Sequence, residues 1–145
     1  MIREIKGDMF NYIDPSKDFI AHCISADFAL GAGIAKTIEE KYHIRDILKA
    51  GPFANKKYVK DDGFVIVTGT VFNLVTKGKY YEKPSYTSIH NAIFALAEHC
   101  HVRGINAIHM PEIGCGLDGL KWKIVFGYIC SAFMPYGINV YIYHL

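Results

Sequence analysis

The residues of this sequence best suited to chemistry are a lysine and an acid that each stand where an apolar run gives way to a turn. Lys77 closes the run Asn73-Leu74-Val75-Thr76 as the chain turns polar. A lysine at such an edge is commonly solvated, with only its methylene stem against the protein. In a closed site, desolvation and neighbouring charge lower its pKa and let the amine form a Schiff base with a sugar carbonyl. Asp118 ends the segment Met110-Pro111-Glu112-Ile113-Gly114-Cys115-Gly116-Leu117-Asp118. The two glycines flanking a small residue form a loop able to aim several amides at a pyrophosphate. An acid beside such a loop repels the ligand unless it serves another purpose, and the alternative is a cap on the helix that follows. Cys115 invites a nucleophile reading, but no partner base is evident, and small size in a tight loop accounts for it better.

Two further segments suit ligand binding. In Lys6-Gly7-Asp8-Met9-Phe10 a glycine permits a turn and an acid follows it at once. Asp8 could accept a hydrogen bond from an adenine amino group, or the pair could be a plain surface turn. The stretch His22-Cys23-Ile24-Ser25 leads into Gly31-Ala32-Gly33-Ile34-Ala35, a strand running through a loop into a glycine-bearing helix start. Such a start is either a phosphate cradle or a tight turn. It is neither of the common nucleotide motifs: Lys36 occupies the place of a third Rossmann glycine, and the Walker ending is missing. The seven histidines show no HExxH or comparable spacing, and His99 and His101 point to different faces of a helix. Cys23, Cys100, Cys115 and Cys130 lie far apart without a CxxC pair, which disfavours zinc and a dense disulfide framework.

Positioning these residues requires strands alternating with helices, and the hydrophobic periodicity switches in that way. Strands are expected at Ile2 to Lys6, Phe19 to Ile24, Phe64 to Thr68, Val71 to Thr76, Ala107 to Met110 and Asn139 to Tyr143. Ile89, Ala92, Ile93, Leu96 and Ala97 recur at helical steps within Tyr86 to Val102. A second helix runs from about Leu120 to Phe133 and stops before Pro135 and Gly137. Gly33 to Tyr42 reads as a third, which His43 to Ala50 extends or follows, and the polar stretch Lys56 to Gly63 reads as a mobile connection. This pattern implies a mixed sheet covered on both faces, with ligands at the loops beyond the carboxyl ends of the strands.

The chain of 145 residues suits one domain with a substantial core, and 51% hydrophobic with 21% charged residues is ordinary for a folded protein. A net charge of +2, with lysines and acids interleaved, offers no basic stripe for a nucleic-acid backbone. The amino-terminal residues alternate apolar and charged types, unlike a signal peptide, and no segment is long and apolar enough to span a bilayer, so a cytoplasmic protein without membrane contact is expected.

Taken in order, KGDMF, AHCIS, GAGIA, LVTK followed by KPSY, and MPEIGCGLD resemble the macrodomain family, and most closely its terminal ADP-ribose protein glycohydrolase branch. The likeness runs from Lys6 to the last strand. It implies a single macrodomain over residues 1–145, an α/β three-layer sandwich with a mixed central sheet. It further implies that Asp8 and Met9 bind adenine, and that Ser25, Gly31, Ala32, Gly33 and Ile34 line the distal ribose. Gly114, Cys115, Gly116 and Leu117 would wrap the diphosphate. The lysine matching Lys77 attacks the anomeric carbon of the distal ribose in that branch, and the aspartate matching Asp118 helps release the product. An opened ribose offers an aldehyde to an amine, and a nearby carboxylate can move the protons that hydrolysis needs, so no metal or organic cofactor is required.

The implied activity is ADP-ribosylation reversal: a hydrolase that removes ADP-ribose from acidic side chains of proteins, or a deacylase of O-acyl-ADP-ribose. The partner is then ADP-ribose or an ADP-ribosylated protein, with ADP-ribosylated DNA bases as the variant, and a monomer is expected. A reader module without chemistry would need the loops but neither Lys77 nor Asp118, and an unrelated mononucleotide-binding α/β protein is the outside alternative. Glu112 and Gly119 depart from what such a site would favour. Glu112 must point away from the diphosphate loop, and Gly119 leaves the site more open.

Overall fold

In a computed structural model of the chain, every residue but Leu117 is described. Among the described residues six strands form one sheet in the order β1-β6-β5-β2-β4-β3. They are β1 (Ile2–Lys6), β2 (Ile20–Ser25), β3 (Phe64–Thr68), β4 (Val71–Lys77), β5 (Ala107–Pro111) and β6 (Asn139–His144). All neighbours run parallel except β3, which pairs antiparallel with β4 at the edge. Helices α1 (Gly33–Tyr42), α2 (Arg45–Ala50), α3 (Tyr86–Val102) and α4 (Trp122–Phe133) cover it.

Side chains alternate across a strand, and here the alternation feeds two cores. Ala21, Phe72, Leu74, Val140 and Ile142 pack with Ile93 of α3 and Ile129 of α4. Ile20, Val71, Val75 and Tyr143 pack with Ile38 of α1 and Leu48 of α2. The central strands β2 and β4 are buried almost throughout, which explains why their sequences read as unbroken apolar runs. The result is the expected three-layer α/β sandwich.

Because β1, β2, β4 and β5 are parallel, their carboxyl ends share one edge of the sheet. The loops after them, beginning at Gly7, Ala26, Gly78 and Glu112, therefore meet there. That is the edge at which open α/β sheets bind ligands. A register shift between Ile24 and Ser25 pairs Ser25 with Lys77 rather than Thr76, and β4 runs one residue past its expected end to include the lysine.

One connection is decided between its two alternatives and another differs from expectation. His43 adopts a left-handed conformation and caps α1, so α2 follows as a separate helix and does not extend it. The stretch from Lys56 to Gly63 is tied down: the Tyr58 hydroxyl donates to the carbonyls of Asp62 and Thr76 at 2.6 and 2.9 Å. At Gly63 an added Cβ would lie 2.0 Å from the Ser88 carbonyl, so only glycine fits this close against α3.

Candidate active site

A cleft of about 1190 Å³ opens along the strand-end edge. Pockets for small ligands commonly span about 300–1,000 Å³, so there is room for a dinucleotide-sized molecule. Asp8, Met9, Ser25, Gly31, Ala32, Gly33, Ile34, Lys77, Gly114, Cys115, Gly116 and Asp118 all line it. Leu117 lies outside the described residues.

At one end, Asp8 accepts a hydrogen bond from the Phe10 amide at 3.0 Å and caps a short turn at Met9–Asn11. Its carboxylate is exposed toward the cleft, and Met9 is buried beneath it. The turn is pinned from below, where the Gly7 amide donates to the His144 carbonyl at 2.6 Å.

In the middle stand two loops whose shape comes from the backbone. Phe28 and Leu30 take positive φ values of 55° and 47° while buried, a conformation large side chains rarely adopt. Arg45 holds them there: its Nη2 donates to the Ala29 carbonyl at 2.5 Å and its Nε to the Phe28 carbonyl at 3.3 Å. The chain then enters α1 through Ala32, which caps the helix without a side-chain hydrogen bond. With no hydroxyl or carboxylate claiming them, the first amides of the helix are left to an anion. In the second loop Gly114 has φ +76°, and a Cβ there would meet Ile89 Cδ1 at 3.1 Å. The Leu120 amide closes that loop on the Gly114 carbonyl at 2.9 Å, which delays α4 to Trp122 rather than Leu120.

At the far end the two reactive side chains meet. Lys77 Nζ lies 2.8 Å from Asp118 Oδ1, and each side chain is only 16% exposed. Asp118 does not cap α4, whose capping residue is Lys121. Its carboxylate is matched by the amine, which removes the objection to an acid beside an anion-binding loop.

The thiols do not compete. Burial, with Glu112 and Asp118 nearby, pushes Cys115 up to about 11. Burial likewise pushes Cys23 up to about 12, with Asp118 adding to it. Neither is a thiolate nucleophile near neutral pH.

Two supporting residues carried no signal in the sequence. One is Arg45. The other is Asp27, which accepts from the Ser25 hydroxyl at 2.5 Å, the Tyr80 amide at 3.0 Å and the Ala29 amide at 3.2 Å. Burial raises its carboxyl, but these donors outweigh it and hold the group below the usual carboxylate range. Asp27 thereby ties the loop after β2 to the one after β4. In the latter, Tyr80 and Tyr81 stand exposed on the rim of the cleft.

No family model matches the chain. It is 36% identical to "ADP-ribose glycohydrolase OARD1" of Homo sapiens over an alignment of 149 positions, covering 99% of this chain and 91% of the relative. The chain belongs to the macrodomain family, in the branch of ADP-ribose glycohydrolase OARD1. Solved macrodomains share its fold: that of Mycobacterium tuberculosis DarG superposes with a TM-score of 0.83 at 20% identity, covering 100% of this chain and 98% of that one. The macrodomain of Thermus aquaticus DarG gives 0.80 at 18%, covering 100% and 99%. Among the described residues of this chain no helix is long and apolar enough to cross a membrane.

Proposed function

We propose that this macrodomain is an ADP-ribosyl hydrolase that removes ADP-ribose from ester-linked acidic side chains of proteins, or deacylates O-acyl-ADP-ribose, using Lys77 and Asp118. The observation that carries the proposal is the 2.8 Å contact between those two side chains in the lining of the cleft, where Lys77 ends β4 while Asp8 follows the edge strand β1. With adenine at Asp8 and Met9 and the diphosphate over the amides of the Gly114 loop, the distal ribose lies along Ser25 and Gly31 to Ile34, within reach of the pair.

In the glycohydrolase reaction the Lys77 amine attacks the anomeric carbon, the bond from that carbon to the ester oxygen breaks, and the acid leaves as a carboxylate. Asp118 takes the proton released by the amine. The ribose opens to a Schiff base on Lys77, and water adds to it with proton return from Asp118, freeing ADP-ribose and the amine. The ion-paired carboxylate thus has a use in both halves of the reaction.

Incubation with an ester-linked ADP-ribosylated peptide tests this directly. The wild type should release ADP-ribose, while Lys77→Ala and Asp118→Ala should not; equal release by all three rules out the pair.

A second reading has one observation in its favour. A cleft of about 1120 Å³ adjoins the first and shares Thr76, Lys77 and Lys83 with it. Lys49, Lys56, Lys57, Lys60 and Lys79 also line it, against Asp27, Asp61 and Glu82. The small net charge of the chain therefore conceals a local excess of cations where the group bearing the ADP-ribose would lie. Such a surface favours an anionic carrier, including an ADP-ribosylated DNA strand. Faster release from an ADP-ribosylated oligonucleotide than from the peptide, with a steep dependence on salt, would select it.

A further inference from the structure

Of the acids lining the cleft, Glu112 is the one to which the proposed function gives no use beside Asp8 and Asp118. It lines the cleft just before the Gly114 loop, and the Cys115 amide closes a turn on its carbonyl at 3.4 Å. Its carboxylate is near enough to the loop to help raise the Cys115 thiol. A carboxylate facing a bound diphosphate would oppose it.

The side chain is instead held from below. Its Oε1 contacts His144 Nδ1 at the end of β6. The other ring nitrogen, His144 Nε2, lies 2.8 Å from Glu4 Oε1 on β1, and Trp122 Nε1 at the start of α4 donates to that same Glu4 oxygen at 2.9 Å. A carboxylate offers acceptors only, so satisfying both ring nitrogens requires the doubly protonated, cationic imidazolium. Partial burial lowers the His144 pKa, but Glu112 and then Glu4 outweigh it, and the net shift is upward. The indole edge packs on the imidazole ring at 5.7 Å between centroids.

We propose that His144 is a positioning residue for the ligand site: as a cation between Glu112 and Glu4 it holds and neutralises the Glu112 carboxylate, keeping it off the diphosphate loop. The inference rests on the ADP-ribose reading. The His144 backbone, through its bond from Gly7, steadies the adenine-end turn, while the side chain restrains the acid beside the diphosphate. One residue at the end of β6 thus serves two loops of the cleft.

Calorimetry tests it, with ADP-ribose and, as a probe lacking the diphosphate, adenosine. His144→Gln should weaken ADP-ribose about tenfold, the scale of one uncompensated charge near the ligand, and leave adenosine unchanged. Adding Glu112→Gln to that variant should restore wild-type affinity, which loss of packing at β6 would not allow. Wild-type affinity in His144→Gln, or a double variant as weak as the single one, overturns the inference. Should His144→Gln fail to fold, wild type and Glu112→Gln are compared from about pH 6 to about pH 9. Wild-type affinity should fall as the imidazolium between Glu112, Glu4 and Trp122 loses its proton, and the Glu112→Gln curve should lack that fall; parallel curves overturn the inference. A wild type that does not bind ADP-ribose at all removes the functional reading as well.

Discussion

The two halves of the cleft are made of different material. Between Asp8 and the reactive pair, the surface is backbone: two residues at positive φ clamped by Arg45, a helix start without a side-chain cap, and a loop turning on Gly114 at φ +76°. At the far end it is two side chains, 41 positions apart in sequence, brought to 2.8 Å. Backbone amides recognise phosphate whatever side chains the loops carry, whereas an attacking amine and its proton partner have no substitute. The contrast teaches that affinity and turnover in this macrodomain should be separable by mutation.

The largest expected effect follows from the side-chain end. Lys77→Ala should cut release of ADP-ribose by about 10³-fold or more, while calorimetry finds its affinity for ADP-ribose lowered only about tenfold, by the Asp118 charge left unmatched. A parallel loss of both would erase the distinction between the halves.

The scaffold beneath both ends makes a different demand. His22 is fully buried within the central strand β2, its Nε2 at 2.6 Å from Asn73 Oδ1 of β4. Burial lowers its pKa to about 4, outweighing the bond to Asn73. The folded value is below the unfolded one near 6.5, so this contribution is complete above pH 6.5 and is lost as pH falls toward 4. It amounts to roughly 3 kcal/mol. Denaturant unfolding at stepped pH should record that loss, and NMR should find the His22 ring neutral at pH 5. His144 has the opposite sign: its raised pKa stabilises the fold at low pH, and that contribution fades as pH rises through the folded value.

At the backbone end, Gly114→Ala should cost about 2 kcal/mol of stability through its positive φ and the Ile89 contact, and weaken ADP-ribose at the same time. Arg45→Ala should have a smaller effect, about 1–2 kcal/mol, by releasing the Phe28 and Ala29 carbonyls. It should raise the dissociation constant about fivefold with little change in kcat. A fall in kcat alone would mean that the clamp serves the chemistry and not the cradle.

The same contrast explains what could be read from the sequence. Local signals were enough for the strands and for α1 and α3, because apolar periodicity and glycine positions belong to neighbouring residues. Helix α4 starts two residues later than its pattern suggests because a loop hydrogen bond, not propensity, sets the boundary. The motif segments identify which residues line the cleft, but not how they interact. Whether Asp118 capped a helix or paired with Lys77 was open until the sheet order brought the ends of β4 and β5 to one edge. Arg45 and His144 carry no local signal because they act on partners far away in the chain, the latter across 140 positions to Glu4, and the Asp27 bonds to Ser25 and Ala29 read as an ordinary turn without the Tyr80 amide 53 positions on. The lysine-lined cleft was likewise hidden, because its cations are scattered from position 49 to position 83.

The most direct test of the account is to trap the bond it requires. The protein is mixed with an ester-linked ADP-ribosylated peptide in the presence of cyanoborohydride, which reduces a Schiff base to a stable amine, and is then digested for mass spectrometry. An ADP-ribose adduct on the peptide containing Lys77, absent from Lys77→Ala, is the predicted result. Undiminished release of ADP-ribose with no adduct, or with the adduct on a different lysine, would contradict it.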